Sequence, residues 1–342
     1  MDVIAPAFIA VSEDSRVGEA RRIAQGLASQ IGFDETRAGE VALVATEAAT
    51  NLVRHATGGE ILLRGEESGG RRELEMVALD TGPGMADLPA HQTDGYSSAG
   101  TRGVGLGAIH RVASAFDIHS TPGTGTVLVA RFFEGDEPAT NGAVRVGGVS
   151  GPRPGETACG DAWISRHDAE ATVVMVVDGL GHGPEAAAAA AAAVTTFEKR
   201  SRLSPGDIVG AVHDALRATR GAAVAVARID PPRAEMLFCG VGNIAGALID
   251  ATGSRHLVSL SGTAGHHVHK VQEFRYPWPE RGWLVMHSDG IATRWSLDAY
   301  AGHESLHPLL LAGLLYRDHR RGRDDATVVV VRGEGLPTGG KK

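Results

Sequence analysis

The run Ala171 to Glu185, ATVVMVVDGLGHGPE, constrains the architecture of this 342-residue chain more than any other stretch. Val173, Val174, Val176 and Val177 give it the composition of a strand buried on both faces. The strand ends in an acid, and Gly179, Gly181 and Gly183 then remove side chains, so the backbone can approach closely whatever Asp178 holds. Pro184 and the alanines behind it open a helix. The unit therefore reads strand, acid, turn, helix.

Three more acids stand in comparable settings. Asp161 heads a strand that begins Gly160 to Ile164, Asp289 follows the strand Trp283 to Ser288 and precedes Gly290, and Asp324, with Asp325 beside it, opens the strand Val328 to Arg332. A single acid at a strand end is ordinarily a turn residue. Several carboxylates converging at one end of a sandwich repel one another unless cations bind them. All-oxygen ligation favours Mg²⁺ or Mn²⁺ over zinc, and two such ions clamp a phosphate and activate water without a covalent intermediate. No serine elbow or cysteine nucleophile motif competes. Around these acids, Ala143 to Val149 is a strand, Pro184 to Lys199 and Pro205 to Thr219 are helices, Ala222 to Ile229 and Ala234 to Cys239 form a hairpin, and Ile244 to Ile249 is a further strand. His182 is placed to orient a ligand or substrate. His266, His267 and His269 read as a solvated loop, and Tyr276 to Pro279 as a turn on the core.

The first half carries a different chemistry. The spacing predicts helices over Ser15 to Ile31, closed by Gly32, and over Thr36 to Ala56. The second helix has a core face of Val41, Val44, Ala45, Ala48 and Leu52, and sets Glu47, Asn51 and His55 at i, i+4 and i+8 along an adjacent edge. Taken alone, that spacing also describes an ordinary polar helix edge. Ile61 to Arg64 and Glu73 to Leu79 are strands, the second ending in Asp80-Thr-Gly82-Pro-Gly84. There a carboxylate is able to accept from an exocyclic amine beside a flat base, or to form an Asx-type turn. Gly100 to Gly107 leads into a helical pattern over Ala108 to Phe116, which presents backbone N–H groups as an anion cradle. The loop follows no strand and lacks a Gly-Lys-Ser/Thr ending, which disfavours Rossmann and P-loop folds. Phe116 to Ser120, a turn at Pro122 to Gly125 and a strand over Thr126 to Phe133 close the segment.

Together, Glu47-x-x-x-Asn51, Asp80-x-Gly82-x-Gly84, and Gly103-x-Gly105-x-Gly107 followed by Gly125-Thr126 resemble the N, G1 and G2 boxes of the GHKL ATPases, above all the anti-sigma-factor serine kinases of the RsbT and RsbW type. The resemblance implies a Bergerat α/β sandwich that binds ATP with Mg²⁺. Asn51 would hold the Mg²⁺, Asp80 with Gly82 and Gly84 would read adenine, and Gly103, Gly105 and Gly107 would wrap the phosphates. Thr126 would line the pocket, and Glu47 would activate a protein serine hydroxyl. No dimerisation helix with a phosphoacceptor histidine precedes the segment, so His55 reads as packing or as a support to the pocket residues rather than as a phosphoacceptor. In the second half, Gly160-Asp161, Asp178-Gly179-x-Gly181-His182-Gly183, Ser288-Asp289-Gly290 and Asp324-Asp325-x-Thr327 resemble the metal-dependent PPM phosphatases of the SpoIIE and RsbX type. This implies an α-β-β-α sandwich, so that the whole chain is α+β. Asp178 would bridge two Mn²⁺ or Mg²⁺ ions, with Asp161 and the Gly179 carbonyl on one and Asp289 and Asp324 on the other. Asp325 is either a supporting group or an alternative ligand, and no arginine is identifiable as the phosphate contact of the larger relatives. The partner implied is a phosphorylated STAS-domain anti-sigma-factor antagonist.

Composition sets the outer bounds. With 43% apolar and 22% charged residues the chain builds about two cores, here residues 1–133 and 141–335, with an acidic Pro- and Gly-containing linker at 134–140 and a disordered tail at 336–342. A net charge of −8 gives no general attraction to nucleic acid or anionic membrane, and the basic run Arg317 to Arg323 reads as a solvated loop. Cys159 and Cys239 are too few for a disulfide framework and suit a reducing cytoplasm. Neither a secretory n-region nor a run of membrane-spanning length is present, so a cytoplasmic location is expected.

Overall fold

A pair of antiparallel helices shapes the first half. The computed structural model describes residues 6–68, 71–86, 105–135, 144–168 and 170–333, and the chain divides into units Met1–Ala139 and Thr140–Lys342. Gly103, most of the 134–140 linker and the 336–342 tail lie outside the described residues. After strand β1 (Ala7–Val11), α1 (Asp14–Gln30) stops where Gly32 takes φ +90, and α2 (Glu35–His55) starts at Asp34, whose side chain accepts the Arg37 N–H at 2.7 Å. Strands β2 (Gly59–Ser68) and β3 (Arg71–Leu79), helix α3 (Gly105–Val112), and strands β4 (Ala115–Thr121) and β5 (Gly125–Phe133) complete the unit. The sheet runs β1-β2-β3-β5-β4, all antiparallel. Val41, Val44, Ala45, Ala48 and Leu52 of α2 pack on Ile61, Leu63, Leu74, Met76, Ala130 and Phe132 of the sheet, the face the helical spacing anticipated. Burying such a Leu, Ile or Met side chain is worth about 1.5–3 kcal/mol.

One helix is shorter than its sequence pattern. The spacing of Ala108 to Phe116 fits a helix throughout, yet Phe116 lies in β4. Ser114 captures the chain for the sheet. Its backbone N–H donates to Arg131 O at 2.9 Å, and its hydroxyl bridges the Phe133 carbonyl and N–H, each at 3.1 Å. Phe116 still reaches the helix-facing core, now from a strand.

The second unit is a pair of stacked sheets with helices outside both. Its elements in order are β6 (Val144–Gly151), β7 (Asp161–His167), β8 (Thr172–Gly179), α4 (Pro184–Arg200), α5 (Pro205–Ala215), β9 (Ala222–Asp230), β10 (Glu235–Val241), β11 (Ala245–Asp250) and β12 (Gly253–His256). Short strands β13 (Ser259–Leu260), β14 (Gly262–Thr263), β15 (His267–Val268) and β16 (Phe274–Pro277) follow, then β17 (Trp283–His287), α6 (Pro308–His319) and β18 (Ala326–Gly333). One sheet runs β13-β10-β9-β8-β7 with β16 also on β10, and the other runs β12-β11-β17-β18-β6. Val173, Met175 and Val177 of β8 face α4 and α5, while Val174 and Val176 face the opposite sheet, packing with Phe238 of their own sheet and with Leu284, Met286 and Val329 of the other. The valine run is thus buried on both faces, as its composition requires. Tyr276 and Trp278 join the inter-sheet core.

Two sequence expectations are corrected here. Arg317 to Arg323 is not one solvated loop: Arg317 is buried on α6 and paired with Asp318 at 2.6 Å, and Arg320 lies over the Tyr316 ring at 5.2 Å. Likewise, His267 belongs to the small β14–β15 hairpin, although His266, His267 and His269 are exposed. Among the described residues no helix is long and apolar enough to cross a membrane.

Candidate functional site

The acids of the second unit sit at the ends of β7, β8, β17 and β18. Asp161 and Asp178 are direct cross-strand partners. Glycines allow the approach: a Cβ on Gly179 would lie 2.3 Å from Ala186 O, and one on Gly160 would lie 2.6 Å from Ala186 Cβ. On the facing sheet the ends of β17 and β18 are zipped by Ser288, whose N–H donates to Thr327 O at 3.1 Å and whose hydroxyl accepts the Thr327 N–H at 3.0 Å. That pairing sets Asp289 just beyond β17 and Asp324 and Asp325 just before β18. Gly290 is obligatory there, since its Cβ would stand 1.9 Å from Asp325 O.

The acids feel one another strongly. Burial, and then Asp178, push the Asp161 carboxyl well above its ordinary range, against hydrogen bonds from Ser288 and Thr327. Burial, and then Asp289, Asp324 and Asp325, push Asp178 up to about 7. Such a pair shares a proton until a cation replaces it. Asp161 Oδ2 is buried with no hydrogen-bond partner, an acceptor aimed at nothing the protein supplies. Among the described residues no three His, Cys, Asp or Glu side chains close into a ligand cluster. An all-oxygen set, an orphaned buried carboxylate oxygen and mutual repulsion fit hard divalent cations.

Asp325 has a separate task. Its Oδ1 accepts the Arg153 N–H and its Oδ2 the Gly160 N–H, both at 2.7 Å. Both oxygens are committed to backbone, which makes it the anchor of the loop before Asp161. Sequence reasoning missed Asn243, whose side-chain amide donates to Asp289 Oδ2 at 2.7 Å from the turn after β10; its only signal is a Gly-rich strand end. It also missed Glu156 and Arg153. His182 Nδ1 lies 2.5 Å from Glu156 Oε1 and its Nε2 lies 2.9 Å from Arg153 Nη1. Arginine only donates, so His182 Nε2 accepts and the ring proton sits on Nδ1, facing Glu156.

In the first unit, α2 carries Glu47 and Asn51 to the start of α3. A Cβ on Gly105 would lie 3.2 Å from Asn51 Oδ1 and 3.3 Å from Glu47 Oε2, so the lid backbone abuts both side chains. Gly107 is buried in α3. Asp80 leaves β3 with its N–H on Thr126 O at 2.9 Å and its Oδ1 accepting the Gly82 N–H at 2.7 Å. The Asx-type turn is therefore present. It packs against the end of α2, where a Gly82 Cβ would meet Ala56 Cα at 3.0 Å and His55 O at 3.2 Å. The His55 side chain is exposed, so His55 contributes backbone rather than the side-chain packing expected of it. Gly125 (φ +113) and Gly84 (φ +64) are pressed onto Asp80 O and Thr121 O, each with Cβ at 2.1 Å. Ser120, unmarked in the sequence, accepts the Met85 N–H and meets Thr126 Oγ1, both at 2.8 Å.

With this geometry in view, comparison with known proteins is decisive. Residues 10–132 match the histidine kinase-like ATPase domain and residues 168–334 match stage II sporulation protein E, SpoIIE. The serine/threonine-protein kinase RsbT of Bacillus subtilis (strain 168) is 30% identical over 111 residues, which is 32% of this chain and 84% of RsbT. The chain belongs to the RsbT-like ATPases and carries a SpoIIE domain. The phosphoserine phosphatase RsbX of the same organism is 24% identical over 140 residues, covering 41% of this chain and 70% of RsbX. Among solved structures, a chain from the bacterial stressosome, a modular system adapted to control secondary messenger signalling, matches at 32% identity and TM-score 0.52 over 55% of this chain and 99% of its own. RsbX crystallised with magnesium matches in fold at 20% identity and TM-score 0.51, over 58% and 98%. The RsbT-like ATPase therefore pairs a kinase-like domain with a serine/threonine phosphatase domain of the SpoIIE and RsbX type.

Proposed function

We propose that this RsbT-like ATPase is a metal-dependent phosphoserine/phosphothreonine protein phosphatase whose kinase-like half binds ATP with Mg²⁺, and that it sets the phosphorylation of a STAS-domain anti-sigma-factor antagonist in a partner-switching pathway. The observation that carries the reading is the Asp161–Asp178 pair with its orphaned oxygen. Asp161, Asp178, Asp289, Asp324 and the Gly179 carbonyl would hold two Mg²⁺ or Mn²⁺ ions, which when bound clamp the phosphate and acidify the attacking water. Asn243 keeps Asp289 turned toward the site, and Asp325 holds the loop before Asp161. Arg153, fixed through its own N–H, supplies positive charge beside the glycine turn. Two free cysteines suit a cytoplasmic setting. Mn²⁺-dependent release of phosphate from a phosphorylated STAS protein should vanish in Asp178→Ala, and turnover at the parental rate in that variant would sink the assignment.

For the first half, Asn51 is the Mg²⁺ ligand, Asp80, Gly82, Gly84 and Thr126 form the adenine side, and Gly103, Gly105 and Gly107 the phosphate lid. Glu47 beside Asn51 at Gly105 favours phosphate transfer to a serine over the alternative, an ATP-sensing scaffold that only sequesters its partner. Asp178→Ala protein given labelled ATP and the partner separates them, because label on a partner serine requires a kinase. Kinase and phosphatase acting together on one residue would hydrolyse ATP to no end, so the two halves have different targets or act at different times.

A further inference from the structure

The rim of the acidic centre is basic on one side. Gly290 to Ala292 pairs antiparallel with His319 to Arg321: Ile291 bridges Arg320, the Arg321 N–H donates to Gly290 O at 2.8 Å, and the Ala292 N–H donates to His319 O at 2.8 Å. Residues 319–321 are therefore held against the segment that follows Asp289, and the chain runs on from there to Asp324. Arg320 turns inward onto Tyr316, while Arg321 and Arg323 are exposed. On the partner segment Trp295 is tied to His287 at the end of β17, its indole N–H donating to Nε2 at 3.3 Å, and the exposed Arg294 stands between it and the Ala292 N–H bonded to His319 O.

Arg217, Arg220, Arg233 and Arg275 are at least half exposed and still carry a carboxylate partner, namely Asp214, Glu185, Asp230 and Glu235. Among the described residues Arg294, Arg321 and Arg323 form no salt bridge. Exposure without a salt bridge is shared among the described residues by Arg200, Arg202, Arg255 and Arg281; what marks Arg321 and Arg323 is their place between the Gly290 pairing and Asp324. On a chain of net charge −8, an uncompensated cationic strip runs against the prevailing field. Screening over about 8 Å at physiological salt lets such a strip act locally although the molecule as a whole repels anions. Its extent, and the acids Asp289, Asp324 and Asp325 alongside, suit a short acidic peptide rather than the long polyanionic surface of a nucleic acid or a membrane.

We propose that Arg294, Arg321 and Arg323 dock an acidic segment of the phosphoprotein substrate next to its phosphorylated residue, an inference that rests on the phosphatase reading above. The test uses the full chain with Mn²⁺ and two phosphoserine peptides of one core sequence, one flanked by Asp and Glu and the other by Asn and Gln. The readout is the ratio of their kcat/KM values on one preparation, which cancels any common change at the centre. The acid-flanked peptide is expected to lead by about threefold or more at low salt. In Arg294→Glu/Arg321→Glu the ratio should fall to one or below, through KM. A ratio of one in the parent, or an unchanged ratio in the variant, overturns the docking. If neither peptide is hydrolysed, the phosphatase reading itself fails. Fluorescence anisotropy of the labelled peptides on the Asp178→Ala protein then decides docking alone: tighter binding of the acidic peptide, lost on charge reversal, supports it. Equal binding of both peptides, or binding of duplex DNA or anionic vesicles as tight as that of the acidic peptide, overturns it.

Discussion

Asp325→Asn distinguishes a backbone anchor from a metal ligand at this centre. Asp325 is 3% exposed, and its two oxygens each accept one backbone N–H at 2.7 Å, from Arg153 and Gly160. An amide in the same place keeps one acceptor and turns a donor toward the other N–H. Leaving a buried donor unsatisfied costs about 1–3 kcal/mol. One effect opposes this, because Asp325 is among the charges that push Asp161 and Asp178 upward, and removing it relieves that repulsion. The net loss should therefore sit near the lower end, about 1–2 kcal/mol, or roughly 2–8 °C in Tm for a domain of this size. The measurement is the melting of the full chain in chelator, paired with Mn²⁺ titration by calorimetry. The expected result is a lowered Tm with Mn²⁺ binding retained, whereas Asp324→Asn should lose Mn²⁺ affinity with little change in melting. An Asp325→Asn protein that melts like the parent and no longer binds Mn²⁺ would refute the anchor and make Asp325 a ligand. Gly160→Ala strains the same junction without adding or removing a charge, since its Cβ meets Ala186 Cβ at 2.6 Å and Asp325 Oδ2 at 2.8 Å, and should cost about 1–3 kcal/mol.

Asn243→Ala frees Asp289 Oδ2 from its donor and should weaken Mn²⁺ binding about 10–100-fold, read by titration, with melting in chelator unchanged. Gly105→Ala places a methyl 3.2–3.4 Å from Asn51 and Glu47; a fluorescent ATP analogue should bind several-fold more weakly, and parental affinity would show that the lid does not approach these side chains when nucleotide binds. Glu73 in the first unit lies 3.8 Å from Arg131, and burial, followed by repulsion from Glu75, pushes its pKa from 4.5 to about 7. A carboxyl with a raised folded-state pKa binds its proton more tightly in the native state. Its stabilisation is complete below pH 4.5 and is lost as pH rises through about 7. Denaturant midpoints of the first unit should therefore fall over that window, and Glu73→Gln should flatten the fall.

The fold was legible where one face of an element is apolar. Val41, Val44, Ala45, Ala48 and Leu52 recur at helical spacing because α2 has one side in the core and one outside, and Asp34 marks where it starts. Helix α6 left no such trace. Leu309 to Arg317 is buried all round, and a helix without a polar side has no period to read. The end of α3 was misplaced for the opposite reason: Ile109, Val112, Ala113 and Phe116 have perfectly good helical spacing, and only the bonds of Ser114 to β5 stop the helix, a tertiary contact that local pattern does not contain.

The candidate site divides along similar lines. Asp161, Asp178, Asp289 and Asp324 were visible because each sits at a strand end, and strand ends of stacked sheets are where residues far apart in sequence meet. What surrounds them was not, because support depends on register. Nothing in an Asp-Asp dipeptide says that Asp325 turns both oxygens onto backbone N–H groups, and nothing in Gly-Val-Gly-Asn says that the amide of Asn243 reaches Asp289. Arg317 to Arg323 shows the limit most sharply. As sequence it is one basic run; in the fold the end of α6 buries Arg317, Tyr316 captures Arg320, and Arg321 and Arg323 remain at the rim with charge unspent. The end of α6 at His319 and the single bridge of Arg320 to Ile291 separate arginines that composition alone treats as equivalent.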